Sequence, residues 1–181
     1  KPTISHGEAG SLFIDLASAS MAHLVDTLSC ALSRPIDETT LEHATLACYQ
    51  YGRSLQATDI VAAIDRLNTL SRRLGEVFTQ FDLILSPVGI GSAPLLGQLD
   101  QNQNWKTAAD WGEAIFHYYP IPVIANVTGV PAISIPLGLS PESLPWGAQL
   151  MADIGGETLL LQAAAQIERL RPWPFLPRVG A

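Results

Sequence analysis

With 181 residues, the chain has the length of one compact domain, and 48% of its residues are hydrophobic while only 15% are charged. The net charge is −7 and the ten basic residues are scattered, so the sequence lacks the basic stripe that nucleic-acid binding requires. The apolar runs are much shorter than the roughly 20 residues that cross a bilayer. We therefore expect a cytoplasmic protein that binds neither nucleic acid nor membrane.

The first 80 residues show the apolar spacing of helices. Helices are predicted over three stretches, residues 11–33, 38–51 and 58–78. Pro35 is expected to stop the first helix, Gly52 to end the second, and Thr58 to cap the third. Residues 1–80 are therefore predicted to be mainly helical.

The pattern changes at Phe81. Residues 81–85 are a short apolar run that predicts a buried strand, halted by Ser86 and Pro87. Residues 88–104 are rich in Gly, Pro, Asn and Gln, which predicts a long surface loop without regular structure.

Two strands and a final helix are predicted near the C-terminus. Residues 132–136 and 147–152 flank a segment rich in Gly and Pro, which predicts paired or neighbouring strands. A helix is expected to pack on them over residues 157–170, followed by a tail interrupted by prolines at 172, 174 and 177. Residues 81–181 thus predict the strands and helices of a sheet layer, with too few strands for a complete sheet.

The most specific motif is Asn-Val-Thr-Gly-Val-Pro-Ala-Ile-Ser-Ile-Pro-Leu-Gly at residues 126–138. It resembles the "Asn, two residues, Gly, any residue, Pro-Ala-Ile-Ser, apolar, Pro" stretch of amidase-signature enzymes. Residues 144–151 resemble the "Leu-Pro-apolar-Gly-apolar-Gln-apolar" strand of that family, and residues 156–160 resemble its "Glu-x-Leu-Leu" helix start. Upstream, residues 81–87 resemble its "Phe-Asp-x-Leu-Leu-x-Pro" strand. The resemblance covers about residues 40–175.

This resemblance implies an α/β fold, the C-terminal portion of the amidase-signature fold, with helices packed on part of a mixed sheet. Residues 1–181 would then be a single C-terminal fragment whose missing strands lie in an N-terminal half. The same resemblance relates the chain to the A subunits of tRNA-dependent amidotransferases and to cyclic-amide hydrolases.

Members of the family hydrolyse amides, or pass ammonia on, with a Ser nucleophile, a second Ser joined by a cis peptide, and a Lys base. The resemblance places this trio in the N-terminal half. Lys1 and Lys106 are the only lysines here, and neither precedes a run such as Gly-Gly-Ser-Ser-Gly-Gly. We therefore expect no catalytic residue in this chain, and activity only with the N-terminal half as its partner.

Residues around the Asn126 motif are the candidates for contact with a small-molecule amide, because aromatic side chains give large contact areas. The pocket candidates are Trp105, Phe116, Tyr118, Tyr119, Asn126 and Thr128. Residues expected to shape the motif are Gly129, Pro131, Gly147 and Gln149. The alternative for the aromatic residues is an ordinary place in the core or on the surface.

Residues 116–125 contain no Asp or Glu, whereas the A subunits of amidotransferases need an acidic group to hold the ammonium of glutamine. This favours an apolar or aromatic amide as the substrate. The four histidines are isolated, and Cys30 and Cys48 lack CxxC spacing, so neither a metal ion nor another cofactor is expected. Both thiols are expected to be buried.

Other functions stay open on the sequence alone. An apolar α/β domain with an open sheet edge also suits a non-catalytic module that docks on a partner. A homodimer is another way to cover the same surface.

Overall fold

A computed structural model describes residues 4–172, so the predicted proline-interrupted tail at residues 174 and 177 lies outside the described residues. Within that range the chain forms six helices and three strands. In chain order they are α1 (His6–Leu32), α2 (His43–Ser54), α3 (Ala57–Phe78), β1 (Ile84–Pro87), α4 (Ala108–Tyr118), α5 (Pro122–Thr128), β2 (Ala132–Leu139), β3 (Pro145–Met151) and α6 (Glu157–Leu170).

Helix α1 confirms the first predicted helix but begins five residues earlier, at His6. Its start is capped by Ser5, whose side-chain oxygen accepts a hydrogen bond from the Glu8 backbone at 3.4 Å. The helix ends at Leu32, and its C-cap Ser33, two residues before Pro35, has a left-handed backbone with φ 51°. The expected stop at this proline is therefore confirmed.

The predicted role of Gly52 as the end of α2 was wrong, because the helix continues to Ser54. A Cβ atom at Gly52 would overlap the Ser18 carbonyl oxygen of α1 and lie 3.0 Å from the Ala22 side chain. Gly52 therefore lets the backbones of α1 and α2 approach each other closely inside the helix.

The predicted cap of α3 was also wrong, because Thr58 lies inside the helix and Gln56 is the N-cap. The Gln56 N–H donates to the Asp59 carboxylate at 2.8 Å. Asp59 thus accepts a hydrogen bond from a free donor at the positive end of the helix.

The three strands form one sheet in the order β1-β3-β2, and both pairs are antiparallel. Strand β1 continues through Ser86 and Pro87 instead of ending before them, and Pro87 pairs with Ala148. A proline is tolerated here because β1 is an edge strand of the described sheet and its missing N–H removes no obligatory ladder bond. The predicted pairing of the two later strands is confirmed.

Two cores lie on opposite faces of the sheet. The larger joins α1, α3 and α5 to one face through residues such as Leu12, Leu70, Val123 and Met151. The smaller lies between the other face and α6, and includes Ile135 and Leu160. The sheet is therefore the layer that links the helical part to the C-terminal helix.

Much apolar surface stays exposed. Leu24, Leu28 and Leu32 form a stripe on the second half of α1, and Leu85 of β1 is 66% exposed. Strands β1 and β2 each have one edge without a partner strand among residues 4–172. No helix in that range is both long and apolar enough to span a membrane.

Candidate functional site

A cleft of about 380 Å³ lies between the sheet and the C-terminal end of α4, and we call it the sheet cleft. Tyr118 and Tyr119 line one side, and Ser134 and Gly147 lie among the strand residues that line the other. The loop after β1 closes the cleft, since the Ile90 N–H donates to the Tyr118 carbonyl at 3.0 Å. Two of the predicted pocket residues therefore line one cleft.

A row of three polar side chains crosses the sheet next to this cleft. Ser86, Gln149 and Ser134 are directly opposite one another on adjacent strands, so their side chains share a face. Ser86 is 8% exposed and Gln149 is 6% exposed. The Ser86 hydroxyl and the Gln149 amide nitrogen have no hydrogen-bond partner among the described residues. Residues 4–172 therefore supply no hydrogen-bond partner for this buried amide nitrogen.

The remaining motif residues bring β2 and β3 together. A Cβ at Gly147 would lie 3.3 Å from both the Ile135 carbonyl oxygen and the Ser134 hydroxyl, so glycine permits close packing of the strands. The Pro131 carbonyl accepts a hydrogen bond from the Ala152 N–H at 3.1 Å. These contacts hold the start of β2 beside the end of β3.

Helix α5 carries the first residues of the motif, where no helix was predicted from the sequence. Gly129 ends this helix in a left-handed conformation with φ 76°. The Thr128 hydroxyl is buried and donates to the Ile124 carbonyl at 2.7 Å, within its own helix. Asn126 is exposed. Neither Asn126 nor Thr128 lines the sheet cleft.

A larger cavity of about 830 Å³ lies between α1, α2 and α4, and we call it the helical cavity. Phe116 lines it, whereas Tyr118 and Tyr119 do not. Successive helical residues turn by about 100°, so positions two apart face roughly opposite sides of α4. The single aromatic wall predicted from the sequence is thus divided between two cavities.

Trp105 lines neither cavity. Its ring packs edge-on against Trp111, with centroids 5.2 Å apart, and its indole N–H donates to the Asp100 carbonyl at 2.8 Å. These contacts stabilise the loop before α4. For Trp105 they fit the alternative of an ordinary structural aromatic residue.

Asp15 of α1 and Tyr51 of α2 meet at the polar end of the helical cavity, and neither residue was predicted from the sequence to line a site. The Tyr51 hydroxyl donates to the Asp15 carboxylate at 2.8 Å, and Arg66 forms an ion pair with the same carboxylate. The hydrogen bond to Asp15, followed by partial burial, raises the pKa of Tyr51 above its usual value. These residues are up to 51 positions apart, so only the packing of α1, α2 and α3 brings them together.

Neither a metal site nor an acidic residue is found at the sheet cleft among residues 4–172. Among residues 4–172, no group of three or more His, Cys, Asp and Glu side chains is arranged to hold a metal ion. The acidic residues near the motif are also separated from the sheet cleft. Asp110 caps α4 by accepting from the Thr107 N–H at 3.0 Å, and Glu113 lines the helical cavity.

Comparisons with known proteins match this chain to one family. The amidase family model matches residues 4–161. The protein of Mycobacterium tuberculosis (strain ATCC 25618 / H37Rv) that carries the amidase name AmiC is 38% identical over 141 residues, which are 77% of this chain and 28% of that protein.

Solved structures agree with the sequence matches. A structure of 6-aminohexanoate cyclic dimer hydrolase superposes with a TM-score of 0.78 at 26% identity, covering 90% of this chain and 35% of that one. The A subunit of glutamyl-tRNA(Gln) amidotransferase from Thermotoga maritima gives a TM-score of 0.55 at 26% identity, covering 74% of this chain and 27% of that one. The chain thus spans about a third of the length of its relatives.

These matches confirm the predicted α/β fold class and the relation to cyclic-amide hydrolases and to the A subunits of amidotransferases. The chain belongs to the amidase-signature family.

Proposed function

We propose that this chain forms the C-terminal half of an amide hydrolase and supplies sheet strands and a wall of the substrate pocket. The Ser nucleophile, the cis-linked Ser and the Lys base come from the N-terminal half in this proposal, so the chain alone is inactive. The main support is the open sheet, in which the Ser86 hydroxyl and the Gln149 amide nitrogen have no hydrogen-bond partner among residues 4–172. The chain also spans only 35% of its structural relative.

An unpartnered buried polar group costs about 1–3 kcal/mol, so folded proteins rarely keep two of them side by side. Polypeptide from the N-terminal half would give the Ser86 hydroxyl and the Gln149 amide their partners. It would also pair with an open edge of the sheet and cover exposed residues such as Leu85. Residues 1–181 act as one unit in this proposal, because α1 and α3 share a core with α5 and the sheet.

The substrate we propose is an uncharged amide with an apolar or aromatic body. Tyr118 and Tyr119 give the sheet cleft an aromatic wall, and among residues 4–172 no acidic side chain lines it. The name of the structural relative, 6-aminohexanoate cyclic dimer hydrolase, describes a substrate of this class. Ser134 lines the cleft and offers a hydroxyl for hydrogen bonding rather than a charge.

The glutamine-hydrolysing component of a tRNA-dependent amidotransferase is the second candidate, favoured by the structural match to the Thermotoga maritima protein. Such a component needs an acidic group for the ammonium of glutamine. Asp110 is engaged in capping α4 and Glu113 lines the helical cavity. The sheet cleft therefore suits a neutral amide better than glutamine.

A chimera tests the proposal. This chain replaces the matching 35% of 6-aminohexanoate cyclic dimer hydrolase, and hydrolysis of the cyclic dimer, a panel of neutral amides and glutamine is measured. We expect the chimera to hydrolyse neutral amides in preference to glutamine and the isolated chain to hydrolyse none. Tyr119→Ala in the chimera should raise KM, because it removes part of the cleft wall, whereas Tyr49→Ala on α2 should leave KM unchanged.

Hydrolysis by the isolated chain would overturn the proposal. So would a chimera that folds, as judged by circular dichroism and a cooperative melt, yet hydrolyses no amide. If that host does not fold with the insert, AmiC serves as the second host, because its identity to this chain is higher, at 38%. Glutamine as the preferred substrate would instead support the amidotransferase candidate.

A further inference from the structure

We propose that residues 91–97 form a flap that gates the sheet cleft, and that a hydrogen bond between Ser92 and Glu142 holds the flap closed. The flap belongs to the loop after β1, and its first three residues, 91–93, line the cleft. Glu142 lies in the turn between β2 and β3, on the opposite side of the cleft from α4. The inference goes beyond the proposed function, because it concerns access to the cleft and requires no catalytic group.

Helix α4 holds both ends of the flap through one residue, Tyr118. Before the flap, the Ile90 N–H donates to the Tyr118 carbonyl at 3.0 Å. After the flap, the Tyr118 hydroxyl donates to the side-chain oxygen of Gln98 at 3.2 Å, and this oxygen also accepts the Leu95 N–H at 3.0 Å. A Cβ at Gly89 would lie 3.1 Å from the Tyr118 carbonyl oxygen, so the loop packs closely against the helix there. The ends of the flap are therefore fixed to α4.

The middle of the flap is held more weakly. The Ser92 hydroxyl donates to the Glu142 carboxylate at 3.3 Å, and among residues 4–172 this is the one hydrogen bond that joins the flap to the β2–β3 hairpin. Such a bond at the surface contributes little stability, because water competes for both groups. Burial adds little, since Leu95 is 74% exposed and Leu96 is fully exposed. Segments with so few buried contacts open locally at low free-energy cost.

Glycines at both ends give the flap its hinges. Gly91 separates the anchored Ile90 from Ser92, and no atom lies within 4 Å of the position of a Cβ at Gly91. Gly97 has a φ of 90°, a conformation that favours glycine. The flap can therefore swing away from the hairpin while Tyr118 keeps its ends in place. Loss of the Ser92–Glu142 hydrogen bond opens the cleft, and its return closes the cleft over a bound molecule.

The test follows the opening of the flap in the 181-residue chain through a thiol placed in the cleft. Val88 is half-buried, lines the cleft outside the flap, and has its side chain beside Gly147. Val88→Cys supplies the thiol, and Cys30→Ser removes the exposed native thiol from the background. Dithionitrobenzoate should label Cys at position 88 at a rate that follows the fraction of molecules with an open flap.

Loss of either partner of the hydrogen bond should raise the labelling rate about twofold to fivefold. Ser92→Ala removes the donor and Glu142→Ala removes the acceptor. Because both changes break the same bond, the double variant should label no faster than either single variant. Ser92→Thr keeps a hydroxyl and should keep the slow rate. Glu113→Ala removes an exposed carboxylate at the helical cavity and is the control, so it should leave the rate unchanged.

The inference is overturned if Ser92→Ala and Glu142→Ala leave the labelling rate unchanged. It is also overturned if their effects multiply in the double variant, since the two side chains would then act separately. Labelling of the parent as fast as of the urea-unfolded chain would show that the flap covers nothing, with the same consequence. Circular dichroism of each variant checks that the fold is retained. Labelling requires no turnover, so an inactive chimera counts against the proposed function alone, and unchanged labelling counts against the flap alone.

Discussion

The two cysteines of this chain differ in exposure because packing places them in different surroundings. Cys30 and Cys48 were both expected to be buried, but only Cys48 is, and Cys30 is exposed. The reason is that the last two turns of α1, after the buried Val25, extend past the core, so apolar residues beside Cys30, such as Leu28, are exposed as well. The spacing of apolar residues predicted helix α1, but it did not show which turns of the helix would be covered by other elements.

The two thiols should therefore differ in reactivity. Burial raises the pKa of Cys48, which lowers its thiolate fraction, and burial also blocks access of a reagent. We expect a thiol reagent such as dithionitrobenzoate at pH 8 to label Cys30 at least about tenfold faster than Cys48. Cys30→Ser should remove the fast phase and Cys48→Ser should keep it. A fast phase that persists in Cys30→Ser would contradict the structure.

At the scale of elements, the helical spacing of apolar residues was sufficient to locate α1, α2, α3 and α6. Their ends were harder to predict, because they depend on contacts between helices. Gly52 looked like a helix end from its residue type, yet its role is set by Ser18 of the neighbouring helix. The faces of α4 could have been derived from the sequence, since Phe116 and Tyr118 are two positions apart. The Tyr51, Asp15 and Arg66 cluster could not, because it joins three helices.

The packing of α1 on α2 should be sensitive to one methyl group. Gly52→Ala should lower the free energy of unfolding by about 2–3 kcal/mol or more, because the added Cβ would overlap backbone that cannot move aside. Gly75→Ala is the matched control in α3, where no atom lies within 4 Å of the added Cβ. That change should raise the free energy of unfolding by about 0.5–1 kcal/mol, because alanine favours helix. Urea denaturation of both variants measures the difference, and a neutral Gly52→Ala would contradict the described packing.

The described chain combines a buried helical core with a sheet in which two buried polar atoms have no hydrogen-bond partner among residues 4–172. The resemblance of the Asn126 motif allowed the family and the fold class to be predicted from the sequence. It did not reveal that α5 would carry Asn126, or that Phe116 would line one cavity while Tyr118 and Tyr119 line another. The sheet row of Ser86 and Gln149 joins residues that are 63 positions apart, so its unpartnered atoms became visible only with the strand register.

The row of Ser86, Gln149 and Ser134 allows a test of the proposal that an N-terminal half completes the sheet. One substitution should change the stability of the isolated chain and of the chimera in opposite directions. In the isolated chain, Gln149→Met should be neutral or should stabilise by up to about 1–3 kcal/mol, since it removes a buried donor that has no partner among residues 4–172. In the chimera with the hydrolase host, Gln149→Met should lower the free energy of unfolding. There the N-terminal half of the host would supply a hydrogen-bond partner for the Gln149 amide, and the substitution would remove that hydrogen bond. Ser140→Ala is the control, since the Ser140 hydroxyl already accepts from the Glu142 and Leu144 N–H groups at 3.2 Å each. It should cost about 1 kcal/mol in both settings. Thermal and urea unfolding of the four variants and their two parent proteins measures these effects. If Gln149→Met destabilises the isolated chain as much as the chimera, the Gln149 amide does not depend on a second half for its hydrogen-bond partner.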